Sequence, residues 1–270
     1  MRKALLLLSA MLMLAVAGSA QTVDEIIAKN TAAKGGLEKL KAVQTMRFSG
    51  TVDFGGVQAN IVRLAKRPNK TRMEISLQGM TMVQAYDGQN GWQIVPFTGK
   101  KDPEPMAADE LKAAAQEADI DGALIDYKQK GHKVELIGKE KIEGTDAYHL
   151  KVTMKDGDVR DLYFDADSFL EIKMIAKTTR RGAEMVIDTT VGDYKEENGL
   201  MMPHSMEVKV QGMAGQSQKV TISKVEFNTP ADDAQFKMPV VAAAPAEKAT
   251  PTPAGADGKK SDGPAKPPQK

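Results

Sequence analysis

The side chains best suited to catalysis or metal binding in this sequence are its three histidines. His132, His149 and His204 each stand alone in a strand-like stretch, and none has a second histidine at the spacing of a zinc motif. The chain contains no cysteine that could supply a thiolate ligand. We therefore expect no metal centre and no cofactor, and we interpret each histidine as a structural or surface residue.

Acidic residues offer a second possible kind of chemistry. Asp161, Asp165 and Asp167 lie in the stretch DLYFDADSF, which lacks the glycine and the terminal glutamate of a calcium-binding hand, so we interpret it as a turn. The carboxylates are numerous enough to be compatible with a glycosidase, but no motif indicates one. The sequence also has no G-x-S-x-G elbow and no glycine-rich phosphate loop, so we expect a protein that is not an enzyme.

Apolar side chains follow a pattern that indicates packing or binding. Met73, Ile75 and Leu77 alternate with polar residues, so all three lie on one face of a predicted strand. The same spacing recurs in Leu170, Ile172 and Met174, in Met185 and Ile187, and in Met206, Val208 and Val210. The chain has 16 methionines but only 5% aromatic residues, so flexible thioethers fill much of this face. Such a face forms either a packed core or the wall of a cavity for an apolar ligand.

The stretch MTMVQAYDGQNGWQIVPF, which begins at Met80, adds a hairpin to this pattern. Its DGQNG turn joins two short strands that carry Met80, Met82 and the only tryptophan, Trp92. The two methionines face opposite to Val83 and Ala85, and the sequence leaves open which side looks inward. The predicted wall positions of a lipid-binding cavity are Met73, Ile75, Leu77, Met80, Met82, Trp92 and Phe97.

Composition divides the chain into three regions. Residues 1–20 combine Arg2 and Lys3 with an apolar run and a small-residue end, which is typical of a cleavable secretory signal peptide. Residues 21–240 are predicted to form one domain, and residues 241–270 a disordered tail rich in Pro, Ala and Lys, without large apolar side chains. The chain has 37 basic and 36 acidic residues, and this balance argues against a nucleic-acid partner.

The predicted domain is mainly β, with few helices. Thr22 and Glu25 form a capping box for a helix that ends at Gly35 and Gly36, and LEKLKAV is predicted to form a second, short helix. From Met46 the apolar period changes to two. Strands are predicted near 46–54, 59–66, 70–77, 80–86, 91–95, 132–138, 146–154, 159–165, 170–178, 183–193, 202–210 and 217–227. A large curled antiparallel sheet of this kind should form an incomplete, open β-barrel with helices covering its mouth.

An insert at residues 100–127 interrupts the strand rhythm. It contains DPEPMAADELKAAAQEADIDGALIDY, in which Asp109 is a predicted helix cap and Leu111 begins a weakly apolar helical face. A helix with so little apolar surface suits a cover that docks loosely. Leu111 is therefore a predicted lid residue.

Several stretches resemble the periplasmic lipoprotein carriers of the LolA and LolB type, the outer membrane lipoprotein-sorting proteins. They are KRPN at residues 66–69, YDGQNGWQIVPF at 86–97, and the lead-in IIAKNTAAKGGLEKLKAVQTMRFSGTV. The resemblance is best over residues 22–97 and extends through the strand rhythm to about residue 238. It implies an incomplete barrel with a helical lid and a hydrophobic cavity that receives lipoprotein acyl chains for transit across the periplasm.

The resemblance also implies roles for single residues. In the carriers the arginine of the KRPN stretch holds the lid closed through hydrogen bonds to lid backbone, and the matching residue here is Arg67. Arginine has five donors that suit unpaired carbonyls at a helix end, although a solvated charge at a strand end is the alternative. Trp92 matches the family's strand tryptophan, as core or as cavity wall.

The chain departs from the carriers in its tail, in the insert at 100–127 and in Met73, where the carriers favour an aromatic residue. These departures leave the cargo open between lipoproteins and other lipids. The function implied is that of a monomeric periplasmic carrier that exchanges acylated cargo with transient donor and acceptor proteins at the inner and outer membranes. The alternative is a regulatory module of the same fold that senses lipid or envelope stress.

Overall fold

Two helices precede the first strand, and the sequence signals at their ends are present in the structure. Helix α1 spans Val23–Ala33, and the Glu25 carboxylate accepts a hydrogen bond from the Thr22 amide at 2.8 Å while the Glu25 amide donates to Thr22 Oγ1 at 3.2 Å. Gly35 and Gly36 follow with φ of +114° and +96°, which ends α1, and α2 spans Leu37–Ala42. The predicted capping box and helix end are confirmed.

The structure is a computed structural model that describes residues 21–180, 183–212 and 217–240, so the predicted signal peptide and tail lie outside the described residues. Thirteen strands lie within these ranges. They are β1 Thr45–Asp53, β2 Gln58–Lys66, β3 Lys70–Leu77, β4 Met80–Tyr86, β5 Gly91–Val95, β6 Lys100–Pro105, β7 Lys133–Ile142, β8 Thr145–Thr153, β9 Val159–Asp165, β10 Glu171–Arg180, β11 Ala183–Glu197, β12 Leu200–Val210 and β13 Ser217–Phe227. The described residues up to Pro239 group into one compact unit.

All these strands belong to one antiparallel sheet. Its order is β6-β5-β4-β3-β2-β1-β13-β12-β11-β10-β9-β8-β7, so two meanders, β1–β6 and β7–β13, are joined by the pairing of β1 with β13. The edge strands β6 and β7 do not pair with each other within the described sheet, which is therefore open. The predicted fold class, a large antiparallel sheet forming an incomplete barrel with a few helices, is confirmed.

Two local predictions in the insert differ from the structure. Strand β6 was not predicted, because Pro103 and Pro105 disfavour a strand except at a sheet edge, which is where β6 lies. The helix α3 spans Ala108–Glu117, and its N-cap is Ala107, so the prediction of Asp109 as the cap is wrong. The Glu110 carboxylate accepts a hydrogen bond from the Ala107 amide at 3.2 Å and fixes the start of the helix two residues earlier than the aspartate suggested.

The chain between the two edge strands has to cross the sheet. Because β6 and β7 are consecutive in sequence but lie at opposite edges, α3 and the turn segment 119–132 connect one edge to the other. We call the side of the sheet that contacts α1 and α3 the inner face and the other side the outer face. The strand order therefore requires α3 and the turn segment to pass over the sheet, where they cover the inner face.

The best-packed part of the inner face lies under α1. Ile26 of α1 is fully buried and packs with Leu150, Leu162 and Phe164, of which Leu150 and Phe164 are also fully buried. These residues belong to strands β8 and β9, so the second meander supplies the principal core. No helix within the described ranges is long and apolar enough to span a membrane.

Both sheet edges carry residues that oppose further strand pairing. Edge strand β6 contains Pro103 and Pro105, which have no amide hydrogen to donate. Edge strand β7 contains a register shift between Leu136 and Gly138. It also carries Lys133, Lys139 and Lys141.

Candidate functional site

Strand pairing shows which side chains of the first meander share the inner face. Ile75 lies opposite Met82, and Leu77 lies opposite Met80, and directly opposed residues of an antiparallel pair lie on the same face. Tyr86 of the same strand packs against α3, which identifies this face as the inner one. The question left open by the sequence is therefore answered, since Met80 and Met82 lie on the inner face.

An apolar cavity of about 460 Å³ opens over this part of the sheet, and we call it the open-end cavity. Its lining contains no charged side chain. The lining residues are Phe54, Ala59, Met73, Ile75, Leu77, Met82, Phe97 and Gln218. Phe54 and Phe97 are 38% and 45% exposed, so aromatic rings are partly accessible at its rim.

A second cavity of about 580 Å³ lies beneath α3, and we call it the α3 cavity. It shares Met73 with the open-end cavity, and Ala114 of α3 lines it from above. Met185 and Val210 line it from strands β11 and β12. The two cavities therefore adjoin at Met73 and give the inner face a trough between the sheet and its cover.

Trp92 lies on the outer face, away from this trough. It pairs with Ala85, whose side chain lies on the other face of β4 from that of Met82. The indole is 2% exposed. The indole Nε1 donates a hydrogen bond to the Phe236 carbonyl at 2.8 Å, and Phe236 is itself fully buried. Trp92 is thus part of a small outer core closed by the C-terminal segment, because the four-residue hairpin turn places it in register with Ala85.

The remaining predicted wall residues occupy the inner face. Met73, Ile75, Leu77, Met82 and Phe97 line the open-end cavity. Met80 is 39% exposed at the strand start, on the same face but outside that lining. The sequence reasoning missed Phe54 and Gln218, although the two-residue alternation from Val52 could have indicated Phe54.

Helix α3 is held at two sides. On one side Leu111 and Met106 pack over Gly91, where a Cβ would lie 2.8 Å from Leu111 Cδ1 and 2.6 Å from Met106 Sδ. On the other side Lys112 Nζ lies 2.6 Å from the Asp158 carboxylate, near the turn between β8 and β9. Leu111 is therefore a docking residue of the cover, and the absence of a side chain at Gly91 allows its close approach.

Arg67 joins the cover to the end of α2. Its Nε donates to the Val43 carbonyl at 2.6 Å, and its Nη2 donates to the Leu40 carbonyl at 3.2 Å, so it caps the C-terminus of α2. Its Nη1 and Nη2 also form a bidentate ion pair with Asp121 in the turn segment, at 2.9 and 2.6 Å.

Lys41 completes this arrangement. Its ammonium group lies 2.7 Å from Asp121 and 2.6 Å from Asp126. We call Lys41, Arg67, Asp121 and Asp126 the latch cluster. It ties α2, the β2–β3 turn and the turn segment together, and nothing local in the sequence indicated that Asp121 would meet Arg67.

The electrostatics of the latch cluster favour its ionised form. Burial of Asp121 raises its pKa, but the hydrogen bonds and charges of Arg67 and Lys41 outweigh that effect and lower the pKa to about 2. Hydrogen bonds to Asp121 likewise raise the pKa of Lys41 and of Arg67. Asp121, Lys41 and Arg67 are therefore charged at neutral pH.

The histidines and the aspartates that could do chemistry have local partners. His149 lies on the outer face between Glu140 and Asp161, at 2.7 and 3.0 Å. The amides of Asp167 and Ser168 donate to the Asp165 carboxylate, which fixes the turn after β9.

His132 accepts a hydrogen bond from the Lys155 amide, and His204 lies 3.1 Å from Glu197. Across the described ranges, no group of three or more His, Asp or Glu side chains is placed to hold a metal ion.

Comparison with known proteins gives no match in sequence. No family model matches the chain, and no curated protein matches it.

Solved structures do share its fold. A structure described as an outer membrane lipoprotein-sorting protein domain from Vibrio parahaemolyticus is 14% identical with a TM-score of 0.52, covering 78% of this chain and 94% of that one. A LolA superfamily protein from Nitrosomonas europaea is 14% identical with a TM-score of 0.55, covering 81% and 98%. A DUF1329 family protein from Desulfovibrio piger is 13% identical with a TM-score of 0.56, also covering 81% and 98%.

These identities are low, so the likeness concerns the fold. The chain has the open-barrel fold seen in LolA superfamily and lipoprotein-sorting domain structures. The resemblance to that fold inferred from the sequence is confirmed.

Proposed function

We propose that this protein is a non-enzymatic periplasmic carrier that binds the acyl chains of lipoproteins or of other lipids for delivery to the outer membrane. The observation that carries the proposal is the open-end cavity, an accessible apolar space on the inner face of the sheet with no charged lining residue. The shared fold supports it, because two of the matching structures are named for LolA or for lipoprotein sorting.

The lining suits a hydrocarbon chain. Burial of each methylene contributes about 0.8 kcal/mol, so a long acyl chain gains several kcal/mol even after losing its conformational freedom. Met73 and Met82 can change side-chain shape around such a chain at little cost. The α3 cavity adjoins the open-end cavity at Met73, but Asp109, Glu110, Glu117 and Glu184 also line the α3 cavity, so the hydrocarbon chain is assigned to the open-end cavity.

The latch cluster provides the means of control. Arg67 holds the C-terminal carbonyls of α2 and Asp121 of the cover at the same time, so release of one guanidinium frees two covering elements. Leu111 keeps α3 on the sheet through apolar contact at Gly91. In this proposal Arg67 is the latch and Leu111 the docking residue of a lid that closes over bound chains.

The setting follows from the predicted regions of the sequence. A cleaved signal peptide at residues 1–20 would place residues 21–240 in the periplasm as a monomer, with transient donor and acceptor proteins at the two membranes. Residues 241–270 would form a disordered tail beyond the carrier domain.

The cavity is tested by an acyl-binding measurement. Protein purified from its native envelope should yield lipid in an organic extract analysed by mass spectrometry. After delipidation it should bind a fluorescent fatty acid. Ile75→Glu places a charge in the open-end cavity and should abolish binding, whereas Ile137→Glu, at a 56% exposed position on β7, should bind normally. Empty protein that binds no acyl probe would overturn the proposal.

A lipid-transfer assay distinguishes the carrier role from a sensing role. Labelled lipoprotein or lipid should move between donor and acceptor membranes in the presence of the protein, and Arg67→Leu should change the rate of loading or release. Arg47→Leu is the matched control, because Arg47 pairs with Glu226 at 2.9 Å on the outer face. Binding without any transfer would favour a lipid-sensing module, and an unchanged rate in Arg67→Leu would dismiss the latch.

A further inference from the structure

The α3 cavity differs from the open-end cavity in the charge of its lining. Carboxylates line it from α3 and from the sheet, and no lysine or arginine is among its described lining residues. The acidic lining residues are Asp109, Glu110, Glu117 and Glu184. The open-end cavity, by contrast, has no charged lining residue. A cleft lined by charges of one sign attracts ligands of the opposite sign, so the α3 cavity suits a cation.

The cations that contact α3 do so outside this cavity. Lys112 lies 2.6 Å from Asp158, and Arg63 donates a hydrogen bond to the backbone carbonyl of Glu117. Neither Lys112 nor Arg63 is a lining residue. Across the described ranges, the carboxylates of Glu117 and Glu184 form no hydrogen bond or ion pair. These two acidic groups are therefore available to a ligand.

Thr71 adds a buried polar group to the floor of the cavity. Its side chain is 6% exposed and lies on the inner face, where Thr71 pairs with Ala65 and Tyr86. Its Oγ1 is buried and has no hydrogen-bond partner among the described residues. A buried hydroxyl without a partner is costly, so a ligand that supplies a donor is favoured.

The spacing of the carboxylates indicates the shape of the cation. Glu110 and Glu117 lie on one face of α3, about 10 Å apart along the helix axis. Within the described ranges, no three acidic side chains converge on a single metal ion. Met73, Met106 and Met185 also line the cavity, and thioethers adapt to the methylene groups of a slender chain. A long organic cation fits this arrangement better than a compact ion.

We propose that the α3 cavity binds a linear aliphatic polyamine, whose ammonium groups pair with carboxylates near the two ends of α3. Its methylene groups pack on the methionines, and one ammonium group donates a hydrogen bond to Thr71 Oγ1. The cavity volume of about 580 Å³ holds such a chain together with water, which occupies about 30 Å³ per molecule in the liquid. The ligand has no acyl chain, so this site is separate from that of the proposed function and does not depend on it.

The test compares probes that differ in charge or in length. The ammonium groups of 1,8-diaminooctane lie about 11 Å apart in the extended chain, octane-1,8-diol has the same length without charge, and 1,4-diaminobutane is too short to reach both ends of α3. Calorimetry with the delipidated mature chain should show that 1,8-diaminooctane binds at least about tenfold more tightly than either other probe, as two partly exposed ion pairs predict. Added salt should weaken binding of the diamine but not of the diol.

Two double variants make the result specific to the α3 cavity. Glu117→Gln with Glu184→Gln should bring the diamine-to-diol affinity ratio close to one. The matched control is Glu135→Gln with Glu207→Gln, which makes the same change of charge on the outer face and should keep the wild-type ratio. All four positions are partly or fully exposed, so both double variants should fold. Both should bind a fluorescent fatty acid normally, which separates a failure of this site from a failure of the acyl site.

A substitution at Thr71 tests the floor of the cavity. Thr71→Val keeps the shape of the side chain and removes its hydroxyl. The affinity for 1,8-diaminooctane should fall several-fold. The free energy of unfolding should not fall, because the hydroxyl has no partner to lose among the described residues.

Any of three results would overturn the polyamine site. The first is a diamine-to-diol ratio near one in the wild type, which would show that cations of the chain itself already neutralise the carboxylates. The second is a ratio that survives the double change at Glu117 and Glu184. The third is a diamine affinity that is unchanged in Thr71→Val.

Discussion

Strands β3 and β8 carry the same alternation of apolar side chains on the inner face, yet they meet different surroundings. In β8 the residues Leu150 and Val152 are fully buried, because Ile26 of α1 packs into that part of the sheet. In β3 the residues Ile75 and Leu77 stay partly exposed and line the open-end cavity. The sheet under α1 is therefore a packed core, and the sheet around β3 is the wall of an accessible space.

The different burial of β3 and β8 comes from the helices that cover them. Helix α1 covers the second meander with branched aliphatic residues, whereas α3 offers the first meander mainly alanines, such as Ala114 and Ala118. A helix of small side chains cannot fill the space above β3. Whether a strand face becomes a core or a cavity wall is therefore decided by the element that covers it.

The largest expected effect is the difference in stability loss between a core substitution in β9 and a cavity-wall substitution in β3. Phe164→Ala removes a fully buried ring from the core and should lower the free energy of unfolding by about 3–5 kcal/mol. Ile75→Ala should cost only about 1 kcal/mol, because its side chain already borders a cavity. Urea unfolding of both variants measures the contrast. Equal losses would show that the first meander is packed as tightly as the second.

A substitution at Trp92 tests the assignment of faces. Trp92→Phe removes the indole donor from the buried Phe236 carbonyl and should lower the free energy of unfolding by about 1–3 kcal/mol. Binding of a fluorescent fatty acid should stay unchanged, because the ring lies on the outer face. A large loss of fatty-acid affinity with little loss of stability would instead indicate that Trp92 lines the cavity.

The latch cluster should make the free energy of unfolding depend on pH in the acidic range. The pKa of Asp121 in the folded chain, about 2, lies below its ordinary value of 3.8, so its contribution is complete above about pH 4 and disappears as the pH falls from 4 towards 2. The loss should reach about 2 kcal/mol and be absent in Asp121→Asn. Unfolding curves of both proteins between pH 5 and 2 measure it, and parallel curves would argue against the ion pair.

The smallest effect concerns the loose cover of the first meander. Gly91→Ala would place a Cβ against Met106 and Leu111, whose flexible ends can move aside, so we expect a loss of about 0.5–1 kcal/mol. Hydrogen exchange of the α3 amides should nevertheless increase. Unchanged exchange in α3 would mean that Leu111 does not determine how the cover docks.

The parts of the fold that depend on neighbouring residues could be predicted from the sequence. Alternation and glycine-containing turns place most strands within a few residues of their observed bounds, and the capping box places α1. Features that depend on distant contacts could not be predicted. The pairing of Arg67 with Asp121 joins residues 54 positions apart, and β6 is a strand only because it lies at an edge.

Trp92 is an intermediate case. The hairpin turn places it beside Ala85, and Ala85 was already known to face away from Met82, so the register could have assigned the ring to the outer face. The resemblance of the hairpin to known carriers gave no information about which side the ring occupies.

The residues at the two sheet edges have a consequence for how the protein behaves at high concentration. A barrel that stays open leaves two strands able to recruit the backbone of another molecule, which is the first step of aggregation. The prolines in β6 remove backbone N–H donors that an added strand would need. In β7 the register shift disturbs the alignment of an added strand, and the lysines repel the lysines of a second copy. The sheet can therefore stay open while both of its edges oppose pairing with a second copy of the chain.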